Sequence, residues 1–157
     1  MKKRPASRSG RRLDAVRHLA RFRYELRKFL YFSEKSARSA GITPQQHQLL
    51  LGVEGFTGRR WATISELAEF LQERHNAVVG RVDRACKRGL VSKRSVARDR
   101  RLVRVEVTPD GRQILRRLSD LHQRELSRLE GSAAHPGEPF LRSFSIPCKP
   151  AGLKIDS

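Results

Sequence analysis

At 157 residues the chain has the length of one ordinary domain, and its 34 lysines and arginines stand against 16 acidic residues, a formal net charge of +18. That imbalance points to a polyanionic partner, and no apolar run approaches the roughly 18 residues that span a bilayer, so no membrane partner is expected. Cys86 and Cys148 are too few for a disulfide framework. The histidines, His18, His47, His75, His122 and His135, lack metal-ligand spacing.

Residues 1–12 carry six basic residues and no acid, with Pro5, Ser7, Ser9 and Gly10 among them, and read as a solvated basic arm. Met1-Lys2-Lys3-Arg4 is not followed by the apolar stretch of a secretion signal, so a cytoplasmic location is expected. From Leu13 the pattern changes. Leu13, Val16, Leu19, Phe22, Leu26, Phe29 and Phe32 recur every three or four residues, the stripe of a long helix ending near Ala40-Gly41. Thr43-Pro44 then supplies an N-cap and a proline at the first helical position, and a shorter helix follows to about Val53.

Gly52, Gly55, Gly58 and Arg59-Arg60 read as a loop, Trp61–Ile64 as a short extended segment, and Ser65–Leu71 as a short helix. After Gln72-Glu73-Arg74 a helix is expected from His75 to Arg88, with Val78, Val82 and Ala85 inward and Gly89 closing it. Two helices joined this tightly suggest a helix-turn-helix. Leu90–Val96 and Leu102–Val107 read as strands joined by Ala97–Arg101, a strongly positive hairpin tip. Thr108-Pro109-Asp110 opens a last long helix striped by Ile114, Leu115, Leu118, Leu121, Leu126 and Leu129, and prolines break residues 131–157 into an irregular tail. The fold class is therefore mainly α with a small β-wing (α+β).

Taken in order, Thr43-Pro44-Gln45-Gln46 with Leu49-Leu50-Leu51, Ile64-Ser65-Glu66-Leu67-Ala68, Val82-Asp83-Arg84 with Arg88-Gly89-Leu90-Val91, and Asp99-Arg100-Arg101 with Val107-Thr108-Pro109-Asp110-Gly111 resemble the MarR family of bacterial-type regulators. The resemblance covers about residues 13–130. It implies a winged helix-turn-helix with dimerisation helices at about 13–40 and 109–130, binding a palindromic duplex DNA operator as a homodimer, commonly as a repressor. It also implies release of DNA by a small aromatic or anionic effector, and no enzymatic activity or cofactor.

On that resemblance Arg74, His75, Asn76, Val79 and Gly80 sit where a recognition helix reaches the floor of the major groove. Asn76 would pair with an adenine edge, and Gly80 would permit close approach. Capping or solvation of the helix start is the other reading of His75 and Asn76. Arg81 and Arg84 are expected to hold phosphates, although Arg81 stands where the family usually has an apolar residue. At the wing, Arg101 would enter the minor groove with Asp99 aligning its guanidinium, and Arg98 and Arg100 would flank the phosphates.

Phe22, Leu26, His47, Leu50 and Trp61 are the candidates to line an effector pocket, and all five are also ordinary core types. The rival function is a basic protein that coats nucleic acid without regard to sequence. One departure stands out. The family usually adds a further helix after the last long one, where this chain has its proline-broken tail.

Overall fold

A computed structural model describes the backbone of residues 8–96 and 99–132, and the side chains of residues 13–95 and 103–129. The expected arm is thus described only from residue 8, and the expected tail only to residue 132. Arg98 lies outside the described residues, as do the side chains of Asp99, Arg100 and Arg101.

Helix α1 spans Arg8–Ser39, so residues 8–12 of the expected arm are helical. Arginine is a good helix former, and the repeat beginning at Leu13 carries the helix backwards past Gly10. At its end Ala40 N–H donates to Ser36 O (3.0 Å) and Ile42 N–H to Ala37 O (3.1 Å), with Gly41 left-handed at φ 79, the cap expected there. Helix α2, Pro44–Leu51, opens on a capping box: Gln46 N–H donates to Thr43 Oγ1 (3.1 Å) and Thr43 N–H donates to Gln46 Oε1 (2.9 Å).

Where a loop was expected, α2 instead runs on into a π-turn over Gly52–Phe56. Strand β1 is Trp61–Thr63, and helix α3 is Ile64–Leu71. Ile64 is helical rather than extended because the cap is Thr63, not Ser65: Thr63 N–H donates to the Glu66 carboxylate at 2.8 Å and Glu66 N–H returns a bond to Thr63 Oγ1 at 3.3 Å. A left-handed Gln72 then turns the chain into helix α4, His75–Lys87.

Strands β2 (Val91–Val96) and β3 (Asp99–Val107) form the wing, and helix α5 runs Pro109–Ser132. The sheet is antiparallel in the order β1-β3-β2, with Ala62 and Lys93 both opposite Val105. β3 starts three residues earlier than expected, so Asp99, Arg100 and Arg101 belong to a strand rather than to a five-residue tip.

The core is apolar and local to this head. Leu49 and Leu50 of α2, Ala62 of β1, Leu67 of α3, Val78, Val82 and Ala85 of α4, and Val105 and Val107 of β3 are buried together, with Leu115 and Leu118 of α5 joining them. No described helix is long and apolar enough to cross a membrane. The described architecture is the expected one: mainly α, with a small sheet carrying the wing.

The foot of α5 is set by a close approach. Gly111 is buried, and a Cβ there would run into the Leu90 carbonyl and lie 3.0 Å from Val107 Cγ1. Backbone cannot yield as a flexible side chain does, so Gly111→Ala is expected to destabilise the fold by about 1–3 kcal/mol. Denaturant unfolding measures this, and an unchanged midpoint would refute the packing described.

Candidate nucleic-acid interface

Helix α4 is amphipathic by construction. Val78, Val82 and Ala85 fix its inner side, which leaves Arg74, His75, Asn76, Ala77 and Arg84 exposed and Val79 and Gly80 half-buried between them. Its first turn contains no acid, and its N-cap Arg74 makes no side-chain cap bond, so the positive end of the helix is uncompensated. The single carboxylate of α4, Asp83, is held by Lys93 of β2. The capping reading of His75 and Asn76 gains no support, because the N-cap position is Arg74.

Arg81 departs from expectation. Its guanidinium is ion-paired with Glu73 in the α3–α4 turn and its side chain is only 16% exposed, so it braces the turn instead of facing phosphates. Its Nε and Nη1 are buried without partners, which is the cost of charge at an apolar position. Arg88, just past α4, donates to Gly41 O at 2.9 Å and ties the helix end to the α1–α2 corner. Arg84 remains exposed, and its Nη1 would lie 3.4 Å from a Cβ at Gly80, so the guanidinium folds back along the groove that the glycine leaves open.

The five candidate effector residues are spread over α1, α2 and β1. Leu50 is in the head core, and Phe22 and Leu26 lie half-buried on α1. Trp61 is sandwiched between guanidiniums, Arg59 at 4.0 Å and Arg104 at 4.3 Å from its ring centroid. His47 of α2, 3% exposed, stacks on His122 of α5 with centroids 5.0 Å apart, and Phe29 and Phe32 of α1 meet His122 edge-on.

Sequence reasoning missed His122, although its place four residues after Leu118 in the α5 stripe puts it on the buried side. A groove of about 360 Å³ opens nearby, between α1 and α5, lined by Phe32, Lys35, Ser36, Arg117, Leu118 and Leu121. Cys86 is half-buried, and burial pushes its thiol pKa up, away from the reactive thiolate. Among the described residues no cluster of three metal-ligating side chains occurs.

Residues 40–102 match the sequence profile of the MarR family. No curated protein sequence matches the chain significantly. Among solved structures, the MarR family transcriptional regulator AbsC of Streptomyces coelicolor is similar at 18% identity and TM-score 0.63, over 85% of this chain and 86% of that one. BpsR of Bordetella bronchiseptica, described for regulation of its DNA binding by 6-hydroxynicotinic acid, is similar at 19% identity and TM-score 0.61, over 83% and 94%. The transcriptional regulator MosR of M. tuberculosis, solved in complex with DNA, is similar at 24% identity and TM-score 0.55, over 78% and 85%. At these identities the structural likeness is one of fold.

Two measurements check the geometry. Gly80→Ala relieves the backbone entropy cost of a mid-helix glycine and is expected to stabilise the fold by about 0.5–1 kcal/mol. It should nonetheless weaken duplex binding several-fold, by standing a methyl group where the glycine lets the helix approach the duplex closely; stability and affinity moving in the same direction would contradict this placement. Burial first, and then the neighbouring His122, push the His47 pKa from 6.5 down to about 4. The folded protein therefore keeps this imidazole neutral while the unfolded chain protonates it. Its contribution is full above 6.5 and is lost as pH falls toward about 4. Between about pH 7 and about pH 5 the denaturant midpoint should fall further in the wild type than in His47→Gln; parallel curves would refute the assignment.

Proposed function

We propose that this chain, whose residues 40–102 match the MarR family, is a sequence-specific DNA-binding transcription regulator that reads a palindromic duplex site as a homodimer. The observation that carries the reading is the outer side of α4. Arg74, His75, Asn76 and Arg84 stand exposed at and beyond a positive helix end, and the one acid of the helix is occupied by Lys93. A helix of this kind fits the major groove, with Asn76 on a base edge and Arg84 on phosphate. Arg98, Asp99, Arg100 and Arg101 place the basic wing on the adjacent minor groove, with Arg101 inserted and Asp99 aligning it.

The two long helices supply the dimer contact. Leu13, Val16, Leu19, Tyr24, Leu30 and Tyr31 of α1 are exposed apolar or aromatic side chains, Tyr31 as much as 72%, and Leu121 of α5 is exposed with them. A second copy of the chain would cover them and set the recognition helices about one DNA turn, roughly 34 Å, apart. The groove between α1 and α5, with Lys35 and Arg117 at its edge, suits a small anionic effector that releases DNA. Repression is the family's commoner mode, and the protein acts by binding rather than by catalysis.

Selection from a random duplex pool at two salt concentrations, followed by sequencing, tests this. The wild type should yield a two-fold symmetric motif. Asn76→Ala should relax one position of each half-site at a cost of about 1–3 kcal/mol. Arg84→Ala should weaken all duplexes evenly and flatten the salt dependence, and Arg101→Ala should blur the motif's flanks. Salt-sensitive binding without any motif would overturn the regulator in favour of a sequence-indifferent coating protein.

A further inference from the structure

Helix α5 leaves the head through a junction in which one carboxylate holds two arginines. Glu54, in the middle of the π-turn, accepts from Arg60 Nε at 2.8 Å and from Arg112 Nε at 3.1 Å on Oε1, and from Arg112 Nη2 at 3.5 Å on Oε2. The same Arg112 Nη2 donates to Val107 O, at the end of β3, at 3.2 Å. Glu54 is largely buried at 20% side-chain exposure, and Arg60 reaches it from a left-handed backbone at φ 65, a conformation uncommon for a residue with a Cβ.

α5 is also held at its foot and along its inner side, where Leu115 and Leu118 enter the core and His122 stacks on His47. The Thr108 hydroxyl, with one proton to give, lies 2.6 Å from Gly89 O and 3.1 Å from Leu90 O, and Gly111 packs on that same Leu90 carbonyl. Apolar burial is non-directional, whereas a charge-assisted hydrogen bond to another element has a preferred direction. Arg112 on Glu54 supplies that directional bond and ties α5 to the π-turn. Without the carboxylate an exposed Arg60 and a mostly buried Arg112 would face each other, and repulsion would open the angle.

We propose that Glu54 is a positioning residue: by bridging Arg60 and Arg112 it fixes the angle between α5 and the reading head, and with it the separation of half-sites that the dimer accepts. The spacing consequence rests on the DNA-binding reading above; the angle does not. Two experiments keep these apart. In the first, Glu54→Gln and wild type are compared on duplexes whose half-sites are moved one or two base pairs closer or farther, and on an isolated half-site.

Wild type should prefer one separation by about tenfold, and Glu54→Gln should lose most of that preference while binding the isolated half-site as before. Even weakening on every duplex, or an unchanged spacing profile, overturns the proposal. The second experiment uses no DNA. Spin labels at Lys87→Cys in α4 and Gln123→Cys in α5, in a Cys86→Ser, Cys148→Ser chain diluted with unlabelled protein, report the head-to-helix distance by electron–electron resonance. A narrow distribution in wild type should broaden in Glu54→Gln and be restored by Glu54→Asp more than by Glu54→Ala. An unchanged distribution overturns the clamp, whereas broadening in a protein that selects no motif upholds the clamp and removes only the DNA reading.

Discussion

Too few carboxylates for too many cations is the constraint on which this structure depends. With 16 acids against 34 lysines and arginines, positive charge is in excess, and where the acids stand decides which cations are spent on structure. In the head, Glu54 takes Arg60 and Arg112, Glu66 takes Arg59, Glu73 takes Arg81, Asp83 takes Lys93, and Glu106 takes Arg94. Each pair joins two elements, or an element to the turn beside it. The exposed start of α4 receives none of them. The same scarcity that neutralises the head's joints thus leaves the proposed reading surface positive.

Pairs this exposed contribute little to stability one by one, on the order of 0–1 kcal/mol, and the apolar core carries the fold. Their effect is on geometry. Glu66 is the clearest case: burial would raise its pKa, but the bonds it accepts from Thr63 and Arg59 outweigh that and lower it. One side chain therefore caps α3 and anchors the loop before β1. Arg81 and Glu73 act similarly at the α3–α4 turn, where a left-handed Gln72 alone would leave the angle of α4 loosely set.

Much of this was legible in the sequence, and what was not has a common cause. Thr43-Pro44 and Gln46 announce the start of α2, and the spacing of Val78, Val82 and Ala85 announces which side of α4 is inward, because capping and helical period are local properties. The alternation of Val105 and Val107 likewise marks the buried side of β3. The π-turn was read as a loop because Gly52 and Gly55 look like breakers and a five-residue bond ladder leaves no periodic trace. Ile64 was assigned to the strand because Ser65 is as good a capping residue as Thr63, and only the partner of Glu66 distinguishes them. Arg81, Glu54 and His122 take their roles from residues distant in the chain or from a turn not yet known to exist. Trp61 was grouped with core aromatics because its two arginines, Arg59 and Arg104, lie on different elements.

Glu54 and His122 also share a location. The head interior is valine and leucine, which pack one way and resist rearrangement. The junction from which α5 departs is built instead of polar groups: the Glu54 bridge, the Thr108 hydroxyl, and farther along the stacked His47 and His122, whose Nε2 atoms are buried without partners. An unpartnered buried nitrogen costs stability that an apolar residue of similar size would not. The chain therefore joins an apolar reading unit to α5 through Leu115 and Leu118 together with a set of polar side chains, Glu54, Thr108, His47 and His122.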